Sequence, residues 1–297
     1  MKEKESMKMT KLENIVRGIC GDVANLGAPQ KVLDEVTLVV LANLWPSEIV
    51  KHNQEVYDDT ANEYANNKHT KDVINELLSF IAMLPDDARV LDVGCGAGRD
   101  SLFMATADSQ FRASLMQRAK DGVSTLDRFC VPRKTFRVTG IDQSVKLLEV
   151  ARAQADLLRQ DQKLTYQSQP LFSLEDMHNI DPQTFGGYAG VWSCTSLFTH
   201  TPRHYLEPAM ESVARVLDQK GLFFTSYTNG NVDGKYDKLL LSKTGRIKYF
   251  SQPNPEEIAK LALRHGMTLK AQLFGDFELE GKVIKENLFV SQFFKKT

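Results

Sequence analysis

A glycine-rich turn between an apolar run and a polar helix start is the feature that most constrains the fold of this chain. The stretch RVLDVGCGAGRDSLF, residues 89–103, contains Gly94, Gly96 and Gly98 within five positions. Glycines allow a tight strand-to-helix turn and let main-chain N–H groups approach a ligand closely. The sequence therefore predicts a buried strand, a ligand-binding turn and a helix, in that order.

The spacing of these glycines differs from that of the dinucleotide-binding fingerprint. The fingerprint G-x-G-x-x-G needs its third glycine for close packing of the helix, and it leaves an open helix N-terminus for a pyrophosphate. This chain has G-x-G-x-G followed by Arg99 and Asp100. A carboxylate at that place would repel a pyrophosphate, which counts against a dinucleotide.

Strand and helix patterns alternate in the sequence after residue 88. Alternation of this kind predicts right-handed crossovers and a mainly parallel sheet, hence an α/β fold. The last two strand patterns have no helix between them, so we expect them to pair antiparallel. The predicted strands cover residues 89–94, 134–142, 164–169, 188–193, 221–228, 267–277 and 286–294.

Two parts of the chain depart from this alternation. Residues 1–85 show helical patterns only, with helices predicted over residues 11–23 and 28–45 and Pro46 ending the second. The segment at 105–134 is long for a connection between a helix and a strand. Part of it has helical spacing, so we predict an inserted helix and loop there.

Composition and charge indicate an ordinary soluble globular protein. The chain is 42% hydrophobic and has a formal net charge of −1, so it has no overall basic excess for nucleic acid. Its longest apolar segment, 36–45, is about half of the roughly 20 residues that a membrane span needs. The four scattered cysteines and the charged N-terminus fit a reducing compartment. We therefore expect a cytoplasmic location, with no nucleic-acid partner and no membrane association.

Several segments, in order along the chain, resemble one known superfamily. VLDVGCGAGRD resembles motif I of the class I S-adenosylmethionine-dependent methyltransferases, and VTGIDQS resembles the segment with their second-strand acid. YDDTANEYA is similar to the helix that often lies over the cofactor in that superfamily. LEDMHNI, YAGVWSCTSLFTH and VARVLDQKGLFFTS resemble three later segments. The resemblance covers residues 57–297 and leaves residues 1–50 outside it.

The resemblance implies a Rossmann-like seven-stranded sheet with helices on both faces. The implied strand order is 3-2-1-4-5-7-6 with the last strand antiparallel, preceded by an N-terminal helical extension that forms part of a lid. The predicted domains are the extension at 1–55 and a class I methyltransferase domain at 56–297, with a lid helix at 56–68. The implied cofactor is S-adenosyl-L-methionine, and its product is S-adenosyl-L-homocysteine.

The resemblance also implies where the cofactor binds. Asp142 is the expected ribose-binding acid, because a carboxylate accepts hydrogen bonds from two vicinal hydroxyls. Asp92 is expected to fix the turn or to meet the methionine amino group. The predicted cofactor-binding residues are Tyr57, Tyr64, Asp92, Gly94, Cys95, Gly96, Gly98, Asp100, Asp142, Gln143, Asp176, Met177 and Ser193.

Two tyrosines and two histidines are candidates for the chemistry. Tyr57 and Tyr64 are seven residues apart, so both fit one helix face, either as an aromatic lid near a sulfonium or as ordinary packing. His200 is either a general base or a solvent-exposed loop residue. Pro202 lies between His200 and His204, which argues against a metal site, and we predict none. The candidate catalytic residues are His200 and Tyr64, and the candidate substrate residues are His200, His204 and Tyr227.

The resemblance implies methyl transfer to a small-molecule nucleophile by in-line displacement. The acceptor atom stays open among N, O, S and C, and the chain is either a monomer or a homodimer. A non-catalytic adenosyl-binding or regulatory protein would share every motif above. An NAD(P)-dependent oxidoreductase is the third alternative, and the Arg99-Asp100 pair argues against it.

Overall fold

The computed structural model has a mixed β-sheet flanked by helices on both faces. The order of its strands is β3-β2-β1-β4-β5-β9-β8. The strands β1 to β9 are Arg89–Val93, Arg137–Asp142, Leu171–Leu174, Tyr188–Cys194, Leu217–Thr228, Asp237–Leu241, Ile247–Ser251, Met267–Leu279 and Lys282–Lys296. The structure describes residues 9–22, 25–66, 73–106, 134–164, 169–234, 236–242, 245–279 and 282–297.

The pairing of these strands confirms the predicted topology. Strands β1 to β5 pair in parallel, whereas β9 pairs antiparallel with both β5 and β8. Since β8 and β9 are the sixth and seventh strands of this sheet along the chain, the order is the predicted 3-2-1-4-5-7-6. Two clusters of buried side chains, one containing Leu91 and Val191 and the other Val90 and Trp192, form the core.

Local sequence signals explain the starts of several helices. Thr10 and Glu13 form a capping box at the start of α1, and Ser144 caps α7 by accepting from the Leu147 N–H. Asn254 caps α11 ahead of Pro255. The helices α1 to α11 are Lys11–Cys20, Pro29–Leu41, Pro46–Asp59, Ala61–Asn66, Ile74–Met83, Arg99–Ala105, Val145–Gln160, Pro182–Phe185, Leu206–Val216, Gly230–Asp233 and Pro255–Arg264. Among the described residues, no helix is both long and apolar enough to cross a membrane.

The structure corrects two predicted elements. The third strand is Leu171–Leu174 rather than 164–169, of which residues 165–168 lie outside the described part of the chain. Its end residues Leu171 and Leu174 are 70% and 50% exposed, so this edge strand lacks the buried apolar run that sequence patterns detect. The second helix ends at Leu41, and Pro46 begins the next helix instead of ending the previous one, because proline is tolerated in a first helical turn.

A second sheet, which the sequence patterns did not predict, consists of β6 and β7. The two strands pair antiparallel, with Leu239 opposite Tyr249. Both residues are buried in a third hydrophobic cluster together with Leu12 of α1 and Leu33 of α2. The helices of the N-terminal extension therefore pack on a hairpin that is more than 190 residues away in sequence.

The predicted lid helix at 56–68 is divided in the structure. Tyr57 belongs to α3, Tyr64 belongs to α4, and the chain turns between them at Thr60. The predicted boundary between residues 55 and 56 falls inside α3, and the division into two domains stays a prediction. The predicted insertion at 105–134 falls almost wholly on residues 107–133, which lie outside the described residues.

Candidate functional site

An open cavity of about 580 Å³ lies at the carboxyl ends of the central strands β1, β2 and β4. In parallel α/β sheets this edge is where ligands bind. One wall consists of the glycine-rich turn and the end of β2, and the facing wall is helix α3. The lining residues are Val50, Asn53, Gln54, Tyr57, Tyr64, Gly94, Gly96, Asp142, Gln143, Ser144, Leu147, Met177, Cys194, Thr195, Ser196 and His200.

The glycines of the turn are required by space and by backbone conformation. The Gly94 N–H donates to the Ile141 carbonyl at 2.8 Å, and its φ is 71°. A Cβ on Gly94 would lie 2.7 Å from Ser196 Oγ, and a Cβ on Gly98 would lie 2.9 Å from Ala151 Cβ. Both contacts are too short for real atoms, so the turn packs tightly against the segment after β4 and against α7.

The Asp142 carboxylate is fixed by main-chain donors at the edge of the cavity. Its Oδ2 accepts from the Gly96 N–H and its Oδ1 from the Ser144 N–H, both at 2.8 Å. Burial raises the pKa of Asp142 above its ordinary value, while these hydrogen bonds oppose that rise. Each oxygen has a further lone pair, so the group can still accept two hydrogen bonds from a ligand.

Asp92 and Asp100 lie beneath the turn and do not line the cavity. Asp92 Oδ2 accepts from Ser101 Oγ at 2.6 Å, and burial with the nearby Asp100 charge raises the pKa of Asp92 to about 8. Asp100 accepts from Arg99 Nε at 2.6 Å and from Trp192 Nε1 at 2.9 Å. Because Arg99 neutralises Asp100, the repulsion of a pyrophosphate is weaker than the sequence alone suggested.

The segment after β3 contributes a polar group and an apolar one. Asp176 is exposed, and its Oδ1 accepts from Gln143 Nε2 and from His178 Nδ1, each at 2.9 Å. The hydrogen bond from His178 lowers the pKa of Asp176. Gln143 and Met177 line the cavity, and together with Leu147 they form its wall beside Asp142.

Tyr57, Tyr64 and His200 meet in the cavity although they come from three separate segments. The rings of Tyr57 and Tyr64 are edge-to-face with their centroids 5.6 Å apart. Tyr57 Oη lies 3.0 Å from His200 Nε2, and the His200 ring packs on Phe250 with a centroid distance of 4.9 Å. Burial lowers the pKa of His200 to about 4, so the imidazole is neutral at pH 7.

Eight of the predicted site residues do not line this cavity, namely Asp92, Cys95, Gly98, Asp100, Asp176, Ser193, His204 and Tyr227. His204 is exposed on the short 3₁₀ turn Arg203–Tyr205. Tyr227 is fully buried, and its hydroxyl donates to Gln292 Oε1 at 2.6 Å. Ser193 is buried, and its hydroxyl accepts from the Leu197 N–H. Cys95 belongs to the turn, and its N–H donates to the Ile141 carbonyl. The described residues hold no group of three or more His, Cys, Asp or Glu side chains that could bind a metal ion.

Helix α3 supplies cavity residues that the sequence reasoning missed. Val50, Asn53 and Gln54 line the cavity with Tyr57. Their spacing from Val50 to Tyr57 is i, i+3, i+4, i+7, which places all four on one face of a helix. That periodicity is a usable signal, but no helix was predicted over residues 46–54, which were placed in the extension.

The comparisons with known proteins support the fold. No protein-family model matches the chain, and no curated protein matches its sequence. Among solved structures, the 1,6-didemethyltoxoflavin-N1-methyltransferase of Burkholderia thailandensis is 16% identical, with a TM-score of 0.53, covering 86% of this chain and 91% of that one. The CcbJ methyltransferase of Streptomyces caelestis is 14% identical, with a TM-score of 0.52, covering 84% and 98%.

A third neighbour comes from an archaeon. A SAM-dependent methyltransferase of Methanosarcina mazei is 14% identical, with a TM-score of 0.50, and the match covers 76% of this chain and 98% of that one. At such identities the similarity concerns the fold. The chain therefore has the fold of class I S-adenosylmethionine-dependent methyltransferases, as the motif resemblance implied.

Proposed function

We propose that this chain transfers a methyl group from S-adenosyl-L-methionine to a small-molecule nucleophile. The observation that carries the proposal is the Asp142 carboxylate, held by the Gly96 and Ser144 N–H groups beside the glycine-rich turn and at the edge of an open cavity. This arrangement combines an acceptor for two vicinal hydroxyls with a turn that a ligand can approach closely.

The residues around Asp142 fit an adenosyl amino acid. The two free lone pairs of Asp142 suit the ribose hydroxyls, and Leu147 and Met177 offer apolar contacts to an adenine ring. When bound, S-adenosyl-L-methionine would supply an activated methyl group on a sulfonium. The protein would then hold the methyl donor close to the acceptor, align the reacting atoms and exclude water.

The aromatic residues on the facing wall suit the methyl-transfer step. Tyr57 and Tyr64 present aromatic rings to the cavity, and aromatic rings attract a cation. In a complex both rings would cover part of the ligand and reduce its contact with water, which favours transfer to the acceptor over hydrolysis. Tyr64 and His200 remain our candidate catalytic residues within this proposal.

The lining of the cavity supports a small acceptor. The cavity is a cleft lined by apolar and aromatic side chains with a few polar groups, as small-molecule sites are. The B. thailandensis neighbour contains 1,6-didemethyltoxoflavin together with S-adenosylhomocysteine, which is in keeping with a small acceptor here. A cytoplasmic location stays a prediction from the sequence, and monomer and homodimer both stay open.

Calorimetry tests the cofactor. We expect S-adenosylmethionine and S-adenosylhomocysteine to bind and NAD not to bind. Asp142→Ala should weaken S-adenosylhomocysteine binding by roughly 100-fold or more, because two hydrogen bonds to a charged group are lost. Asp161→Ala, which removes an exposed carboxylate at the far end of α7, is the matched control and should bind as the parent does. Unchanged affinity in Asp142→Ala would refute its ribose role, and binding of NAD alone would favour the oxidoreductase.

A methyl-transfer screen tests the reaction itself. The full chain is incubated with methyl-labelled S-adenosylmethionine and a panel of small hydroxyl, amine, thiol and carbon acceptors, and product label is measured. Label transfer above the rate in buffer supports an enzyme. Tight adenosyl binding without transfer to any acceptor would support the non-catalytic alternative instead.

A further inference from the structure

The hydrogen bond between Tyr57 and His200 has a direction that the surrounding main chain determines. His200 Nδ1 lies 3.3 Å from the Tyr249 carbonyl oxygen, which can only accept. Nδ1 therefore carries the ring proton, and Nε2 carries the lone pair. The Tyr57 hydroxyl, 3.0 Å from Nε2, donates to it and keeps the lone pairs of its oxygen free toward the cavity.

Asn53 holds the carbonyl group that sets this tautomer. Its Nδ2 donates to the Tyr249 carbonyl at 2.9 Å, and its Oδ1 accepts from the Tyr249 N–H at 3.0 Å. The same Nδ2 lies 3.5 Å from His200 Nδ1, a longer distance than that to the carbonyl. Asn53 is thus a positioning residue. It connects helix α3 to β7 and holds the Tyr249 carbonyl that orients the His200 ring toward Tyr57.

We propose that Tyr57 and His200 form a proton-accepting pair, and that the methyl acceptor is a protic nucleophile with an O–H or N–H bond at the methylated atom. This inference rests on the proposed function and deepens it. As the acceptor atom forms its bond to the methyl carbon, the sulfur–methyl bond breaks and its electron pair stays on sulfur. The acceptor proton goes to Tyr57 Oη, and the Tyr57 phenol proton passes to His200 Nε2.

The surroundings of the pair keep His200 and Tyr57 neutral before the reaction. Burial, with Lys248 of β7 and His178 as neighbouring groups, lowers the pKa of His200 to about 4, so its lone pair is available at pH 7. On the tyrosine side, Lys248 Nζ lies 4.2 Å from the Tyr57 ring centroid, and burial followed by the charges of Tyr64 and Asp142 raises the pKa of Tyr57.

A neutral tyrosine with a raised pKa retains its proton until the acceptor supplies another. The net charge of the cavity does not change during the reaction, because the proton reaches His200 as the positive charge of the methyl donor is lost. Loss of that charge also removes a repulsion that would oppose the imidazolium. The proton then leaves to solvent, which regenerates the pair for the next cycle.

Nitrogen NMR of the histidine ring tests the geometry without any acceptor. In the full chain at pH 7, with His200 assigned by means of His200→Gln, we expect an unprotonated Nε2 that accepts a hydrogen bond. Tyr57→Phe should shift the Nε2 resonance downfield, toward that of a free lone pair. The matched control Tyr64→Phe, which removes a hydroxyl from the same cavity, should leave that resonance in place. A protonated Nε2, or a resonance that Tyr57→Phe does not move, overturns the proposal.

Kinetics with the acceptor found in the label screen tests the chemistry. Tyr57→Phe should lower kcat by about 100- to 10,000-fold, the usual contribution of a general base, and should keep S-adenosylhomocysteine affinity within about threefold. An acceptor methylated on an atom that carries no proton, or an unchanged kcat, overturns the inference alone. Failure of the parent chain to bind S-adenosylhomocysteine would instead overturn the proposed function. If Tyr57→Phe does not fold, the protonation state of His200 Nε2 in the parent chain tests the proposal instead.

Discussion

The two walls of the cavity are stabilised in different ways. The wall at β1 and β2 depends on a short stretch of sequence, in which the Gly94 N–H donates to the Ile141 carbonyl of β2 and Gly98 packs closely on Ala151 of α7. The opposite wall belongs to the cap, by which we mean helices α1 to α3 and the hairpin β6–β7. Polar contacts in the cap join residues 195 and 196 positions apart, from His52 to Ile247 and from Asn53 to Tyr249.

Arg246 is at the centre of the cap. Its Nε donates to Glu13 Oε1 at 2.6 Å, its Nη1 donates to Asp59 Oδ2, and both Arg246 and Glu13 are only 5% exposed as side chains. Although burial opposes ionisation of Glu13, the hydrogen bonds from Arg246 and the Thr10 N–H hold its pKa below the ordinary value. The comparison teaches that the wall at β1 and β2 is built from a local motif, whereas the wall at α3 depends on buried charges brought together by folding.

The largest effect is expected from breaking the buried ion pairs of the cap. Arg246→Met should lower the free energy of unfolding by about 3–5 kcal/mol, because it leaves the Glu13 carboxylate buried without its partner. Denaturant unfolding measures this loss. Hydrogen exchange should show the added opening in α1, α3 and β7, with β1 and β2 remaining protected.

Two further variants check the cause of that loss. The double variant Arg246→Met with Glu13→Gln should recover part of the stability, because no buried carboxylate is left unpaired. The exposed pair Lys11–Glu48, 2.6 Å long, is the matched control, and Lys11→Met should cost less than about 1 kcal/mol. Equal losses for the buried and the exposed pair would contradict the distinction between the two.

A somewhat smaller effect is expected from filling the turn on the opposite wall. Gly94→Ala should lower the free energy of unfolding by about 2–4 kcal/mol, since it adds an overlap with Ser196 to a strained left-handed backbone. Gly234→Ala is the matched control, because Gly234 has φ of 65° with open space around it. Gly234→Ala should lower the free energy of unfolding by only about 1–2 kcal/mol, the cost of placing alanine in a left-handed backbone conformation. Similar losses for both variants in thermal unfolding would show that the close approach to Ser196 is unimportant.

The smallest of the three effects is a pH dependence confined to the cap. Burial lowers the pKa of His52 from its ordinary value of 6.5 to about 4, so the unfolded chain binds more protons between those values. The contribution of neutral His52 is therefore complete above pH 6.5 and is lost as the pH falls toward 4. Relative to His52→Gln, the parent chain should lose about 2 kcal/mol of unfolding free energy between pH 7 and pH 5.

The comparison with His52→Gln is needed because Asp92, beneath the glycine-rich turn, changes the free energy of unfolding in the opposite direction as the pH falls. Its raised folded pKa of about 8 means that the folded chain binds more protons than the unfolded one as the pH falls. The two contributions oppose each other in the parent chain, and only the difference between the two chains isolates His52. A difference that is constant from pH 7 to pH 5 would show that His52 is not held neutral by burial.

The features that could be predicted from the sequence belong to the wall at β1 and β2, and those that were missed belong to the cap. The turn at Gly94, the position of Asp142 at the end of its strand and the parallel pairing were predicted from patterns within one or two neighbouring elements, and the strand order was implied by the motif resemblance. The hairpin β6–β7 was missed, because its residues are buried through contacts with the distant helices α1, α2 and α3. Asn53 was missed as well, because its partner Tyr249 is 196 residues away in sequence. Asp100 was assigned to the cofactor, whereas its carboxylate pairs with Arg99 and Trp192.

The sequence by itself determined the parallel sheet, the antiparallel last strand and the turn that points to an adenosyl ligand. These features follow from periodicity and glycine spacing, which act over short stretches of chain. Only the tertiary structure decided that α3 forms a wall of the cavity, that Arg246 is buried between Glu13 and Asp59, and that Tyr57 donates to His200. The physical reason is that burial and hydrogen-bond direction depend on which distant groups the fold brings together, and no local pattern records those partners.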